Sequence, residues 1–152
     1  MPYRIFSVIL LMAISLLCSS CSWVTRFVIV NKSSDVLEIR YTLVPLSGVK
    51  KLQKTTLDDK GKLKNDAWLE VSPEQYEYDR ETEAVTLRLA PNEALEITSE
   101  TTYTGHHSTD NNFFKIKTLN LSGTRGTARY EGRQALTQFR EESESLYTII
   151  YE

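Results

Sequence analysis

Apolar and polar positions alternate with a period of two along much of the chain, which is the signature of half-buried β-strands. Between Val36 and Val44, Leu37, Ile39, Tyr41 and Leu43 fall on one face, and Glu38, Arg40 and Thr42 on the other. The preceding run Phe27-Val28-Ile29-Val30 is β-branched and aromatic, and Asn31 to Asp35 is a cluster of turn residues. Together they predict a first strand starting near Arg26 or Phe27 and a hairpin with the next one. Tyr76 to Tyr78 and Ala84 to Leu89, with an acidic turn between them, predict a second hairpin. Further strands are expected at Trp68–Val71, Ala94–Thr98, Phe113–Leu121, Thr127–Tyr130 and Leu146–Tyr151.

Three stretches read differently. Residues 50–66 are the most polar, and Leu52, Leu57 and Leu63 are too sparse for a core strand, so a loop or an exposed edge hairpin is expected. Ser72-Pro73-Glu74-Gln75 has the residues of a helix start, with Ser as cap and Pro at the first helical position. Residues 133–144 fit a helix through Leu136 and Phe139, and a strand through Ala135, Thr137 and Phe139. Seven to nine short strands separated by turns predict an all-β fold. An antiparallel β-sandwich of immunoglobulin-like architecture, occupying residues 26–152 as one domain, is the form expected.

The N-terminus departs from this pattern. One base, Arg4, precedes an uncharged run of 13 residues from Ile5 to Leu17, followed by small residues. Such a run makes ~20 Å of helix at about 1.5 Å per residue, short of the ~30 Å of hydrocarbon a span must cross. It has the form of a secretory signal. Its end, Leu17-Cys18-Ser19-Ser20-Cys21, resembles the lipobox of bacterial lipoproteins, with small residues before the modified cysteine, although Cys18 stands where Leu is usual. The resemblance implies cleavage after Ser20, a diacylglycerol on the Cys21 sulfur and an acylated amino terminus. It also implies an outer-membrane location facing the periplasm, because Ser22 follows the cysteine rather than Asp. Membrane lipid, engaged through the acyl chains on Cys21, is then the first partner. Residues 21–25 would be the lipidated end and a short tether, placing Trp23 in the membrane interface and Arg26 near headgroup phosphates.

Composition narrows the chemistry. The formal net charge is −2, and loss of residues 1–20 removes one base and no acid, leaving −3. That balance argues against a nucleic-acid partner, which calls for a basic excess. Both cysteines, Cys18 and Cys21, lie in the N-terminal stretch, so the domain has no internal disulfide, thiolate metal site or cysteine nucleophile. The two histidines, His106 and His107, sit in one polar loop with Asp110 nearby. They are the candidates for a metal or small-ligand site, although adjacent histidines on a strand face opposite ways. No Gly-x-Ser-x-Gly elbow occurs, and no histidine outside that loop is available to serve a triad. A non-enzymatic interaction module of the cell envelope, without a cofactor and with a protein partner, is the resulting expectation. Lysines of 50–66 give that segment a local net of +3, enough either to meet anionic lipid or to guard a sheet edge.

Overall fold

The computed structural model describes residues 22–44, 51–103 and 114–152. In chain order the strands are β1 (Ser22–Asn31), β2 (Leu37–Leu43), β3 (Gln53–Thr56), β4 (Leu69–Glu70), β5 (Tyr76–Asp79) and β6 (Ala84–Leu89). They continue with β7 (Glu93–Tyr103), β8 (Ile116–Gly123), β9 (Gly126–Glu131), β10 (Arg140–Ser143) and β11 (Leu146–Tyr151). A 3₁₀ turn at Pro73–Gln75 precedes β5, and a short helix, α1 (Arg133–Gln138), follows β9. Two sheets result. One has six strands in the order β10-β11-β1-β7-β3-β4, and the other five in the order β5-β6-β2-β8-β9. All pairings are antiparallel except β1 with β11, which is parallel.

The all-β sandwich is therefore present, with eleven strands among the described residues rather than seven to nine. The additional strands are short and polar. Arg-Glu-Glu-Ser in β10 is exposed throughout, and Gln-Lys-Thr-Thr in β3 buries one residue of four. Backbone pairing to a neighbour, not an alternating apolar face, makes these segments extended.

The expected β1–β2 hairpin does not form. The turn after Asn31 carries the chain from the six-stranded sheet to the five-stranded one. Phe27 and Ile29 then pack against Leu37, Ile39 and Tyr41 across the sandwich in one buried cluster. A hairpin would have put these two apolar faces side by side. Crossing between sheets buries each against the other. The second hairpin, β5–β6, forms in the expected place.

β1 is buried on both sides, which explains why its sequence is a continuous apolar run. Val28 and Val30 face away from the main core into a smaller cluster with Leu57 and Ala94, against which Leu63, Trp68 and Leu146 pack. From the polar segment, Leu57 and Leu63 supply part of its cover. Leu57, 7% exposed, bridges to Leu63 and anchors a hairpin over the sheet, while Leu52, 3% exposed, joins the main core. At its tip the Asp58 carboxylate accepts bonds from the Lys60 and Lys62 amides at 2.9 and 2.8 Å. The Lys62 amide is the main reason its pKa is lowered. Residues 133–144 satisfy both readings in turn, α1 and then β10, with Ala135 and Phe139 buried.

At the end of the sandwich remote from Ser22, the two sheets touch closely. A Cβ at Gly123 would stand 2.8 Å from Cζ of Tyr151. Gly123→Ala should therefore cost about 1–3 kcal/mol through overpacking, read as a lowered urea midpoint. The Tyr151 hydroxyl is buried with no hydrogen-bond partner among the described residues. Tyr151→Phe should consequently leave the midpoint unchanged; a large loss would mean the ring is seated differently.

Candidate functional site

The residues singled out at the N-terminus are placed unequally. Cys21 lies outside the described residues. Trp23 is within β1, opposite Thr102 of β7, and its side chain is outside them too. The strand begins at Ser22, not at Arg26 or Phe27, so no free tether separates residue 22 from the sheet. Arg26 lies well inside β1. Its guanidinium bonds Glu96 and its Cζ stands 4.0 Å from the centre of the Trp68 ring. It is held by an internal carboxylate and an aromatic face rather than offered to lipid phosphates. His106, His107 and Asp110 all lie outside the described residues. Among the described residues, no group of three or more His, Cys, Asp and Glu side chains could hold a metal ion.

A concavity lies elsewhere, on the outer face of the five-stranded sheet. It is an open groove of about 1140 Å³. Strand register aligns Glu77, Thr86, Arg40, Asn120 and Arg129 in one row across β5, β6, β2, β8 and β9. One step closer to the Ser22 end, Thr42, Thr118 and Glu131 form the next row, and the two threonine hydroxyls share a hydrogen bond of 2.6 Å. The groove floor is thus made of hydroxyl and amide groups, with long cationic side chains rising from it.

Two irregularities shape the rim. Thr42 pairs with Thr118, but Leu43 pairs with Ile116, leaving Lys117 as the extra residue of a bulge. Bulges re-aim side chains, and here Lys117 is exposed and lines the groove. Opposite it, the β5–β6 turn carries Arg80 and Glu81. Asp79 fixes this turn by accepting from the Thr82 hydroxyl at 2.6 Å and the Glu81 amide at 2.9 Å. Those bonds, the hydroxyl's first, hold the Asp79 carboxyl below its ordinary pKa, and the Arg40 charge adds to the effect. Glu83, with φ of 53°, closes the turn and accepts the Tyr78 hydroxyl at 2.6 Å. That bond is the main cause of the raised Tyr78 pKa.

Ion pairing is uneven. Arg129 and Glu131 bond each other at 2.8 Å. Among the described residues, Arg40, Arg80 and Lys117 have no ion-pair partner. The alternation in β2 put Arg40 and Thr42 on the solvent face, yet nothing in the sequence associated them with Lys117 or Arg129. That association needs the strand order β2-β8-β9, set by contacts far apart in sequence. Lys117 also sits next to buried Ile116, where simple alternation breaks, and such a break is the one sequence signal of a bulge. Comparison with protein-family models, with curated proteins and with solved structures finds no match for this chain.

Proposed function

We propose that the protein is an envelope lipoprotein, held at the outer membrane by acyl chains on Cys21, that acts as a non-enzymatic interaction module facing the periplasm. One observation carries the reading furthest: β1, whose first residue is Ser22, lies between β11 and β7 inside the six-stranded sheet. A lipid on Cys21 would be one residue from a central strand, about 3.8 Å along the chain. The domain would then stand on the membrane by the end of the sandwich where Ser22 lies, with little freedom to roam. At the opposite end of β1, ~30 Å away for a strand of ten residues, lie Asn31 and the Asp58–Lys62 hairpin tip, close to Lys32. Lysines 60 and 62 then point away from the bilayer, which favours their role as a solvated cover over a role in lipid contact.

The sandwich offers partners its sheet faces and loops, and the absence of a cysteine from residues 22–152 leaves the core to hold the fold by itself. Fractionation tests the anchor. The wild-type chain should pellet with membranes and carry a mass increase from acyl groups on its N-terminal peptide, whereas Cys21→Ala should appear in the soluble fraction or keep its signal unprocessed without acyl groups. A Cys21→Ala chain that is processed and still membrane-bound would sink the proposal.

A further inference from the structure

We propose that the groove on the outer face of the five-stranded sheet binds a phosphate-bearing group, through Arg40, Lys117 and Arg80 with the floor of Thr42, Thr118 and Asn120. This deepens the interaction reading by naming a ligand class. The site itself needs no anchor; only lipid as the source of the phosphate rests on the lipoprotein reading.

Charge is the first observation. Of the acids around the groove, Glu131 is paired with Arg129 at 2.8 Å, while Glu83 and Asp79 accept from neutral donors, the Tyr78 hydroxyl, the Thr82 hydroxyl and the Glu81 amide, and keep their charge. Glu81 is the acid lining the groove that has no side-chain partner among the described residues. The lining holds four cations, Arg40, Arg80, Lys117 and Arg129, against three carboxylates, Glu81, Glu83 and Glu131, and the first three cations have no ion-pair partner among the described residues. The lining thus carries a net of one positive charge, in a chain whose overall charge is negative.

The second observation is the donor set. The Thr42 and Thr118 hydroxyls share one proton between them at 2.6 Å, so the other remains free to donate outward. Asn120 sits between Arg40 and Arg129 in the row above and contributes an amide. These donors and cations come from β2, β8 and the β5–β6 turn, and therefore approach a ligand from several directions. A carboxylate has two oxygens in one plane and is satisfied by a single guanidinium. A phosphate presents acceptor oxygens in a tetrahedral spread and bears more charge, which matches separated cations and hydroxyls.

The third is position and rigidity. The bulge fixes Lys117, and the Asp79 bonds fix the turn that carries Arg80, so the rim is organised before a ligand arrives. Bonds from Leu43 to Glu83 and from Val44 to Lys115, at 3.0 and 2.8 Å, tie together the strand ends at this side of the sandwich. It is the side on which β1 begins at Ser22, since β2 runs back from the Asn31 end. For a chain anchored at Cys21 this end of the groove lies nearest the bilayer, where phosphate headgroups are the most concentrated phosphates.

Calorimetric titration of the full-length protein in a nonionic detergent, at low and constant ionic strength, tests this with three probes: pyrophosphate, a short-chain phosphatidylglycerol and acetate. The double variant Arg40→Gln/Lys117→Gln is compared with Lys60→Gln/Lys62→Gln, which removes the same charge at the far end. All four side chains are exposed, so the urea midpoints of both variants should match wild type. We expect phosphate binding that falls at least tenfold in the groove variant and less than twofold in the tip variant. Binding of pyrophosphate alone supports the site with a soluble phosphate as ligand, and binding of the lipid alone supports it with a headgroup. No heat with either phosphate probe, acetate binding as tight as pyrophosphate, or equal losses in the two variants overturns it. Fractionation of Cys21→Ala is read separately, so failure of the anchor and failure of the groove are distinguishable.

Discussion

Phe27→Ala is expected to lower the stability of the domain by about 3–5 kcal/mol, the range for a buried aromatic truncated to a methyl group. Phe27 is 2% exposed and stands in the centre of an aromatic group. Its ring centre lies 5.2 Å from that of Phe114 and 5.3 Å from that of Phe139, both edge-on, and 5.5 Å from Tyr147 in a stacked arrangement. Phe114 and Phe139 also meet each other, at 5.9 Å. These rings come from β1, the approach to β8, the end of α1 and β11, so the substitution removes one contact hub shared by four chain segments. Neighbours held by that many constraints cannot collapse into the cavity, which places the cost towards the top of the range. With native stabilities of about 5–15 kcal/mol, much of the total would be lost. Urea unfolding should show a lower midpoint with an unchanged slope. Phe27→Leu should recover more than half of the loss, and a deficit below 1 kcal/mol for Phe27→Ala would contradict the packing described.

Asn31→Ala should cost about 2–4 kcal/mol for a different reason. Asn31 is fully buried, and its side-chain amide donates to the carbonyls of Asp35 at 2.8 Å and Leu89 at 3.0 Å. Its Oδ1 accepts from the Ser33 amide at 3.1 Å and the Ser33 hydroxyl at 2.7 Å. The backbone carbonyl accepts the Asn92 amide at 2.8 Å. One side chain thus ties together the β1–β2 crossing and the end of β6, where the chain passes between sheets twice. Alanine leaves a buried carbonyl and a turn without partners, and each unsatisfied group costs about 1–3 kcal/mol. Asn31→Asp discriminates further. An ionised carboxylate would face two carbonyl oxygens, so this variant should be less stable than Asn31→Ala at neutral pH. Because its folded-state pKa would be raised above the unfolded value, the deficit should shrink as pH falls through the folded value. A pH-independent difference between the two variants would show that the amide does not face those carbonyls. Asn31 also begins the Asn31-Lys32-Ser33 sequence pattern of N-glycosylation, and its buried, four-bonded amide is inaccessible to modification in the folded domain.

The strand segments were legible where one face is apolar and the other polar. β2 and β6 alternate as written, and β11 occupies the residues expected of it, because burial on one side imposes period two on the sequence. β1 was legible as apolar but not as central, since a continuous run does not say which strands lie on either side. The hairpin reading of β1 and β2 failed for a related reason. Local turn residues mark a reversal, while the choice between pairing and crossing to the other sheet depends on which arrangement buries both apolar faces. Leu52 and Leu57 looked too scattered to matter, yet Leu52 is buried in the main core and Leu57 in the smaller cluster with Val28 and Val30.

Sequence by itself determined the all-β class, the turn positions, the lack of cysteine chemistry in the domain and the expectation of an acylated Cys21. These depend on local spacing or on residue types, and both are written in the chain directly. The tertiary structure alone decided that β1 begins at Ser22 within the sheet, and that Arg26 is held by Glu96 and Trp68. It also decided that Arg40, Lys117 and Arg129 share one groove. Those facts arise from pairings between residues up to 120 positions apart, as in Arg26 and Leu146, and no local pattern encodes the order in which strands lie side by side.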